Sequence, residues 1–297
     1  MKPAPLDYAA PTSLTEAVTL LSDGDRDCIV IAGGQSLMPM LNMRLARPDL
    51  LVDLSRIADL DYIRDDGATL AIGAMTTKRA VEHSAVVAER QPLLHAATCL
   101  VGHPQIRNRG TVGGSLAHAD PAAEYPAVAV ATDSEMRVLG PAGERRIGAA
   151  DFFVGYLTTA LAPGEVIVEV IVPVLGAGTG WGLAEFSRRH GDFAIAGAAV
   201  TVELDSDRCC SQVRIVLFGV AATPVRLAQV EDLLRGEAPE GDFYRRAGEA
   251  VSEALDQPLS DVQASADYRR HLAGVLSRRG LAEAVGRAAE RAGRSRP

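Results

Sequence analysis

The chain has 297 residues, too many for one small domain, and a hydrophobic fraction of 47% that is sufficient for packed cores. We therefore expect a globular protein of two or three units. Its formal net charge of −8 argues against non-specific nucleic-acid binding over the whole surface. No apolar leader and no run of about 18 apolar residues is found, so we expect a soluble, cytoplasmic protein without a membrane span.

The four cysteines do not have the spacing of a metal site. Cys28 and Cys99 stand alone, and Cys209 and Cys210 are adjacent, which is a poor geometry for bonding to each other. Neither a C-x-x-C pair nor any other ligand pattern is present. The sequence therefore predicts no metal ligands in this chain.

The first 55 residues have the pattern of a small βαβ-like unit. A capping-box spacing at Ser13 and Glu16 predicts a helix over residues 13–22, and buried strands are predicted at residues 28–31 and 50–54. A two-glycine loop, Ile31-Ala32-Gly33-Gly34-Gln35-Ser36, follows the first strand directly. Such a loop lies at the carboxyl end of a strand, where α/β folds bind ligands.

A different sequence pattern, of short strands and helices, covers residues 56–175. A hairpin is predicted over residues 62–73, a helix over residues 85–100, and strands at residues 135–139 and 165–172 on either side of a turn at 140–143. Residues 173–180 contain three glycines and are the best linker in the chain.

The most informative segment is Arg107-Asn108-Arg109-Gly110-Thr111-Val112-Gly113-Gly114-Ser115. Its glycines allow unusual backbone angles and close approach to a ligand, and its hydroxyls and amides are hydrogen-bond donors. We predict a loop, neither strand nor helix interior, whose free amides converge on an anion. Two such loops, neither containing lysine, suit a ligand with two phosphates.

Beyond the linker, three long strands are predicted at residues 181–187, 193–204 and 213–220, close enough in sequence to form an antiparallel sheet. Helices are predicted at residues 225–234, 243–255 and 266–292. Arginine is in excess after Asp267, which indicates either a solvated helix face or a docking surface for a partner.

The first glycine loop is not the G-x-G-x-x-G fingerprint of dinucleotide-binding folds, because only Gly33 and Gly34 are glycine. It is not a P-loop either, because no Lys-Ser or Lys-Thr closes it. Four segments do resemble the flavoprotein (medium) subunit of molybdenum hydroxylases, the family of carbon monoxide dehydrogenase and xanthine dehydrogenase. They are Ala32-Gly33-Gly34-Gln35-Ser36-Leu37, Thr111-Val112-Gly113-Gly114-Ser115-Leu116, His118-Ala119-Asp120-Pro121-Ala122-Ala123-Glu124 and Gly191-Asp192-Phe193-Ala194. The resemblance runs from about Leu6 to Leu276. Gln35 stands where the carbon monoxide dehydrogenase branch usually has His, which changes one side-chain contact.

The resemblance implies an α+β fold and a non-covalently bound FAD. The FAD-binding fold would consist of two α/β subdomains (PCMH-like), residues 1–55 and 56–175. A C-terminal domain over residues 178–292 would combine a three-stranded antiparallel sheet with a helix bundle, and FAD would lie between the two parts.

The resemblance also implies the cofactor-binding residues, and it implies no catalytic residue. Amides of Ala32, Gly33, Gly34, Gln35 and Ser36 would hold the pyrophosphate, with Leu37 adjacent. Thr111, Gly113, Gly114 and Ser115 would line the diphosphate and the flavin. His118, Asp120 and Glu124 would lie beside the ribityl chain and diphosphate, Asp192 near the cofactor, and Arg226 facing the flavin ring.

Simpler roles remain open for several of these residues. Arg226 either stabilises negative charge on the reduced flavin or is an exposed arginine at a helix start. Asp192 either lies near the cofactor or only caps the turn at His190-Gly191. Asp120 and Glu124 are four residues apart and could both cap a helix starting near Pro121. His118 is expected to be a hydrogen-bonding scaffold rather than an acid or base.

The sequence therefore predicts an electron-transfer flavoprotein subunit. The resemblance implies a small iron–sulfur subunit and a large molybdopterin subunit as partners, and an external electron acceptor, NAD, oxygen or a quinone. The alternative is a self-sufficient flavin oxidase that uses its C-terminal part as a substrate cap and tethers flavin through His95, Cys99 or His103. A third alternative is a colourless, non-enzymatic scaffold.

Overall fold

The computed structural model describes residues 1–294 and begins with a small parallel sheet. Its elements are β1 (Asp7–Ala9), α1 (Leu14–Leu21), β2 (Cys28–Ile31), α2 (Leu37–Asn42) and β3 (Leu50–Asp53). The strand order is β1-β3-β2, and both neighbours of β3 run parallel to it. The chain leaves the carboxyl end of β2 directly into residues 32–36, as the sequence predicts.

Helix α1 begins where the capping box predicts. Ser13 has extended backbone angles, and its side chain accepts a hydrogen bond from the amide of Glu16 at 3.2 Å. This satisfies one of the amides that a helix start leaves without a partner. Ala17 is buried on the inner face of the helix, which packs on the parallel sheet.

The second unit is built on an antiparallel sheet of order β4-β5-β10-β6-β7. Its strands are β4 (Ile63–Asp65), β5 (Thr69–Gly73), β6 (Glu135–Gly140), β7 (Gly143–Gly148) and β10 (Val166–Pro173), and β8 (Phe153–Gly155) pairs separately with β9 (Thr158–Thr159). Its helices are α3 (Lys78–Glu82), α4 (Ala85–Arg90), α5 (Pro92–Leu100), α6 (Pro104–Arg107), α7 (Val112–His118), α8 (Glu124–Ala131) and α9 (Ala149–Phe152).

Helix α8 forms the centre of this unit. Each of its eight residues is buried, and a helix that is apolar on every side belongs inside a core. Pro126 lies in the first turn, where the missing amide hydrogen has no helical partner in any case. Two residues that line the candidate site, Asp120 and Glu124, lie just before this helix and at its first position.

The C-terminal domain has a sheet of order β11-β12-β13-β14. Its elements are β11 (Thr179–Phe186), β12 (Ala196–Leu204), β13 (Cys210–Phe218), β14 (Val225–Arg226), α10 (Ala228–Leu234), α11 (Phe243–Ala254) and α12 (Ala266–Arg294). Helix α12 packs along β11 and β12. Ala199, Val216 and Phe218 of this sheet belong to the same buried cluster as α8, which joins the two domains through one core.

The predicted α+β class is confirmed, with four corrections in detail. The three predicted C-terminal strands form, but the two-residue strand β14 extends the sheet to four, so residues 225 and 226 are not helical. The predicted helix over residues 85–100 is two helices, because Pro92 supplies no amide hydrogen and starts a new helix. The turn at 140–143 joins β6 to the unpredicted strand β7 rather than to β10. The third correction also covers β1, which, like β7, is a strand that the sequence analysis did not predict.

The fourth correction concerns the most informative segment. Residues 112–118 were predicted to be a loop but form helix α7. Thr111 caps this helix, since its Oγ1 accepts the amide of Gly114 at 3.1 Å. Glycine's low helix propensity costs only about 1 kcal/mol per residue. Packing of Val112 and Leu116, both about 1% exposed, offsets that cost.

Candidate functional site

The two glycine segments are in direct contact, which confirms the central expectation from the sequence. A Cβ atom on Gly33 would lie 2.1 Å from the carbonyl oxygen of Arg109, and one on Gly114 would lie 3.3 Å from Cβ of Ala32. Only glycine at position 33 allows the two backbones to approach this closely. The contact places the end of β2 against the start of α7.

A cleft of about 620 Å³ opens along this contact. This is within the range of about 300–1,000 Å³ of typical ligand sites. Among the predicted cofactor residues, all but Gly113 and Arg226 line it: Ala32, Gly33, Gly34, Gln35, Ser36, Leu37, Thr111, Gly114, Ser115, His118, Asp120, Glu124 and Asp192. Apolar side chains from Ile29, Val30, Met40 and Ile106 complete the walls.

The first segment offers a row of free backbone donors. Within residues 1–294, the amides of Gly33, Gly34, Gln35, Ser36 and Leu37 donate to no protein acceptor. Gly34 has a φ of 71°, the left-handed region that glycine adopts without strain. The side chain of Gln35 donates to the carbonyl of Gly33 at 3.2 Å, which fixes it beside the turn. Unpaired amides in a concave turn are an anion-binding arrangement.

The second segment differs from its prediction, because its amides are used within the fold. The amides of Val112 and Gly113 donate to the carbonyls of Thr76 and Ala74 at 3.0 and 2.9 Å, and the amide of Ser115 donates to the carbonyl of Thr111 at 3.2 Å. Gly113 also lies against Ala74, where a Cβ atom would be only 2.6 Å from the alanine methyl carbon. Gly113 therefore allows α7 to pack closely against Ala74. Helix α7 presents hydroxyl groups to the cleft rather than free amides.

Lys78 is a cleft residue that the sequence analysis missed. It begins α3, is 7% exposed, and donates from Nζ to the Ser115 hydroxyl at 2.9 Å. Nζ also lies 4.8 Å from the centroid of the Tyr125 ring. Burial lowers the pKa of this amine to about 8, and the nearby carboxylate of Glu124 opposes that shift. The sequence did contain one signal that could have pointed to Lys78, because Lys2 and Lys78 are the only lysines in an arginine-rich chain.

The acidic and imidazole groups of the cleft have distinct environments. Glu124 is 6% exposed, and burial raises the pKa of its carboxyl. Burial also lowers the pKa of His118, so this ring is neutral at pH 7. Asp120 accepts the amide of Ala122 at 2.9 Å in the turn before α8, but the N-cap residue of α8 is Ala123, so Asp120 does not cap this helix. Asp120 also lies 4.0 Å from Nε2 of His118.

One wall of the cleft comes from the C-terminal domain, through the loop that joins β11 to β12. Gly191 has a φ of 87° and packs against the ring of His103. The next two residues, Asp192 and Phe193, line the cleft, and Phe193 remains 55% exposed. The carboxylate of Asp192 accepts no hydrogen bond from residues 1–294, so it does not cap the turn. The contribution of Phe193 was not predicted.

Arg226 lies outside the cleft, contrary to expectation. Its guanidinium forms an ion pair of 2.8 Å with Glu231, a carboxylate that is 1% exposed and also accepts the amide of Ile215. Arg226 lines a different cavity of about 450 Å³ between the two domains. Glu231, five residues later in the chain, determines the direction of the Arg226 side chain. The sequence pattern did not reveal this buried partner.

The candidate tethering residues also lie outside the cleft lining. Nε2 of His95 is 2.9 Å from the carbonyl oxygen of Glu82, and His103 stacks on His190 with ring centroids 6.3 Å apart. Burial raises the pKa of the Cys99 thiol, which makes it a weaker nucleophile. None of these three side chains lines the cleft.

The residues present fit an anionic, partly apolar dinucleotide. Five free amides and one buried amine provide donors for phosphate oxygens, and the apolar walls suit a planar ring. No helix among the described residues is long and apolar enough to cross a membrane.

Comparisons with known proteins agree with this chemistry. Residues 4–175 match the family model "FAD binding domain in molybdopterin dehydrogenase", and residues 181–284 match "CO dehydrogenase flavoprotein C-terminal domain". The chain is 43% identical to the 6-hydroxypseudooxynicotine dehydrogenase complex subunit alpha of Paenarthrobacter nicotinovorans, over 97% of both chains. It is 39% identical to the carbon monoxide dehydrogenase medium chain of Hydrogenophaga pseudoflava, over 97% of this chain and 100% of that one.

The fold is also similar to a solved structure. Carbon monoxide dehydrogenase from Hydrogenophaga pseudoflava matches with a TM-score of 0.93 and 40% identity, over 97% of this chain and 99% of the other.

Proposed function

Because this chain belongs to the family of FAD-binding subunits of molybdopterin dehydrogenases, we propose that it is the electron-transfer subunit of a heteromeric molybdenum hydroxylase. An iron–sulfur subunit delivers electrons to the cofactor in the cleft, and an external acceptor removes them. A large molybdopterin subunit carries out the substrate oxidation. When bound, FAD supplies the exchange between one-electron and two-electron transfer.

The observation that carries this proposal is the row of unpaired amides from Gly33 to Leu37 along a cleft with apolar walls. In the proposed complex these amides hold the diphosphate, and charge-assisted hydrogen bonds of this kind are roughly twice as strong as neutral ones. Thr111 and Ser115 contribute hydroxyl groups from α7. Asp192 and Phe193 close the cleft from the C-terminal domain.

The cleft residues orient a cofactor and have little capacity for substrate chemistry. The neutral ring of His118 lies 4.0 Å from Asp120, which is beyond the hydrogen-bond reach that an activated acid–base pair requires. The carboxyl group of Glu124 is buried and held towards its neutral form. The environments of His118 and Glu124 favour an electron carrier over a self-sufficient oxidase. The three candidate tethering residues lie away from the cleft, which favours the same conclusion.

The test is to purify the chain with its native partners and compare it with the chain alone. We expect iron–sulfur and molybdopterin subunits to copurify, and we expect the oxidised-flavin absorbance to bleach with substrate only in the whole complex. Acid precipitation should release the flavin into the supernatant, because it is bound non-covalently. Substrate turnover by the isolated chain, or flavin retained in the acid pellet, would favour the oxidase alternative.

A further inference from the structure

Lys78 differs from the other cations of this chain in residue type and surroundings. Of the 30 lysine and arginine residues, only Lys2 and Lys78 are lysines. Lys2 is exposed, whereas Lys78 is 7% exposed and lines the cleft. Arginine keeps its charge at all accessible pH values, but a buried lysine gains and loses a proton readily. Among the described residues, Lys78 is therefore the buried lysine, and its charge can change near neutral pH.

The contacts of Lys78 within the protein do not balance its charge. Nζ donates to the Ser115 hydroxyl and lies over the Tyr125 ring, and no carboxylate among residues 1–294 lies within 4.0 Å of it. Glu124 is the acidic group whose charge acts on Lys78. A buried ammonium with a neutral hydroxyl and an aromatic face as its partners is stabilised further by any anion that enters the cleft.

The position of Lys78 directs it to the diphosphate part of a ligand. A Cβ atom on Gly110 would lie 3.6 Å from Cδ of Lys78 and 3.9 Å from Cγ of Gln35. The lysine stem therefore passes Gly110 between the two glycine segments. Its amine reaches Ser115, and Gln35, one of the residues with a free amide, lies against the same glycine. Lys78 and the free amides therefore line one cleft, and an anion bound there is exposed to both.

We propose that Lys78 binds the diphosphate of FAD and that cofactor binding is accompanied by proton uptake at its Nζ. This inference rests on the proposed function, because it requires FAD in this cleft. In the empty cleft the amine loses its proton near pH 8, since burial disfavours the charged form. A neighbouring diphosphate favours the charged form and moves that loss to higher pH.

Because FAD binding is coupled to protonation of Lys78, the affinity for FAD depends on pH. The pKa of Lys78 is higher in the complex than in the empty cleft, so affinity is greatest below about pH 8. Affinity then falls as pH rises, by up to about tenfold per pH unit, until the pKa of the complex is reached. His118, Asp120 and Glu124 also line the cleft, and the charge of Glu124 acts in turn on Glu185 outside the cleft lining. His118 titrates below neutral pH and does not produce a change above pH 8.

The decisive experiment is an NMR titration of the full chain labelled with ¹³C and ¹⁵N at lysine. Only two side-chain amine signals exist, and the variant Lys2→Met identifies that of Lys78. In the deflavinated chain we expect this signal to titrate near pH 8. With FAD bound, its midpoint should rise by at least one pH unit. ADP should reproduce the rise, and riboflavin, which lacks phosphate, should not. An unchanged midpoint with FAD overturns the proposal.

Binding measurements give an independent test. Titration calorimetry of FAD in two buffers of different ionisation enthalpy measures proton uptake, which we expect to be about half a proton or more near pH 8.5. Lys78→Arg should bind FAD without uptake, and Lys78→Met should bind about 10- to 100-fold more weakly at pH 7. Lys2→Met should match the wild type. If Lys78→Met binds FAD with the wild-type pH profile, the inference fails while the proposed function stands. If the wild-type chain binds no FAD, the proposed function fails as well.

Discussion

The backbone amide of Gly219 donates a hydrogen bond of 2.7 Å to the carbonyl of Pro121, which joins the C-terminal domain to the turn that carries Asp120. Gly219 is itself held in place, because its carbonyl and that of Ile195 both accept hydrogen bonds from the buried guanidinium of Arg269. Arg269 also forms an ion pair of 2.7 Å with Asp261. A residue of helix α12 therefore supports one wall of the cofactor cleft without touching the cleft.

The variant Arg269→Met should weaken both the fold and cofactor retention. Two buried carbonyls lose their donor at a cost of about 1–3 kcal/mol each, so we expect the free energy of unfolding to fall by about 2–6 kcal/mol. FAD should also dissociate faster, because the Pro121 turn loses its support. Urea unfolding and the rate of flavin release measure the two effects. Arg279→Met, at an exposed position of the same helix, is the matched control. Destabilisation with an unchanged release rate would show that the turn does not depend on Arg269.

Gly33→Ala should remove FAD binding with little effect on the rest of the fold. The new methyl group would meet the Arg109 carbonyl oxygen at 2.1 Å, so the two glycine segments must separate. We expect the purified variant to contain less than about a tenth of the wild-type flavin, since a shift of this size breaks several charge-assisted hydrogen bonds. Gly24→Ala, where a methyl group meets nothing within 4 Å, should retain its flavin. Full flavin content in Gly33→Ala would contradict the close contact.

Arg226→Met distinguishes a structural role for this arginine from a role at the flavin. Removing the guanidinium leaves the buried carboxylate of Glu231 with only the amide of Ile215 as a partner. Because Arg226 is partly exposed, we expect a discounted loss of about 1–3 kcal/mol of stability and no change in the flavin reduction potential. Arg226→Met combined with Glu231→Gln should recover part of the stability. A shifted potential in the single variant would restore the expectation from the sequence that Arg226 faces the flavin.

Glu185 should make the protein less stable as pH rises. Its Oε2 is buried without a partner among the described residues, and burial together with Glu124 raises the pKa of this carboxyl from 4.5 to about 8. The native state therefore keeps a proton that the unfolded chain has released, and the free energy of unfolding falls between about pH 4.5 and pH 8. Glu185→Gln should raise stability at pH 8 by about 1–3 kcal/mol and change little at pH 4.5.

Urea denaturation at the two pH values measures this effect, with the exposed Glu89→Gln as the control. An equal effect of Glu185→Gln at both pH values would show that the carboxyl of Glu185 does not titrate in this range.

Local patterns in the sequence predicted most of the elements, because they reflect local physics. The hydroxyl at Ser13 and the apolar period after it define α1, and the apolar run from Cys28 to Ile31 defines β2. The contact between the two glycine segments was predicted correctly, but several other predictions were wrong where the outcome depended on distant residues. The amides of α7 donate to residues near Thr76, more than thirty positions earlier in the chain, and no local pattern reports such a partner.

The sequence by itself determined the element order, the two glycine segments and the family that they indicate, because turn glycines, caps and apolar periods act over a few residues. Only the tertiary structure decided which donors remain free, that Lys78 enters the cleft, and that Arg226 pairs with Glu231 instead. Those outcomes depend on burial and on partners brought together by folding. Desolvation and hydrogen-bond competition act between atoms that are close in space, whatever their separation along the chain.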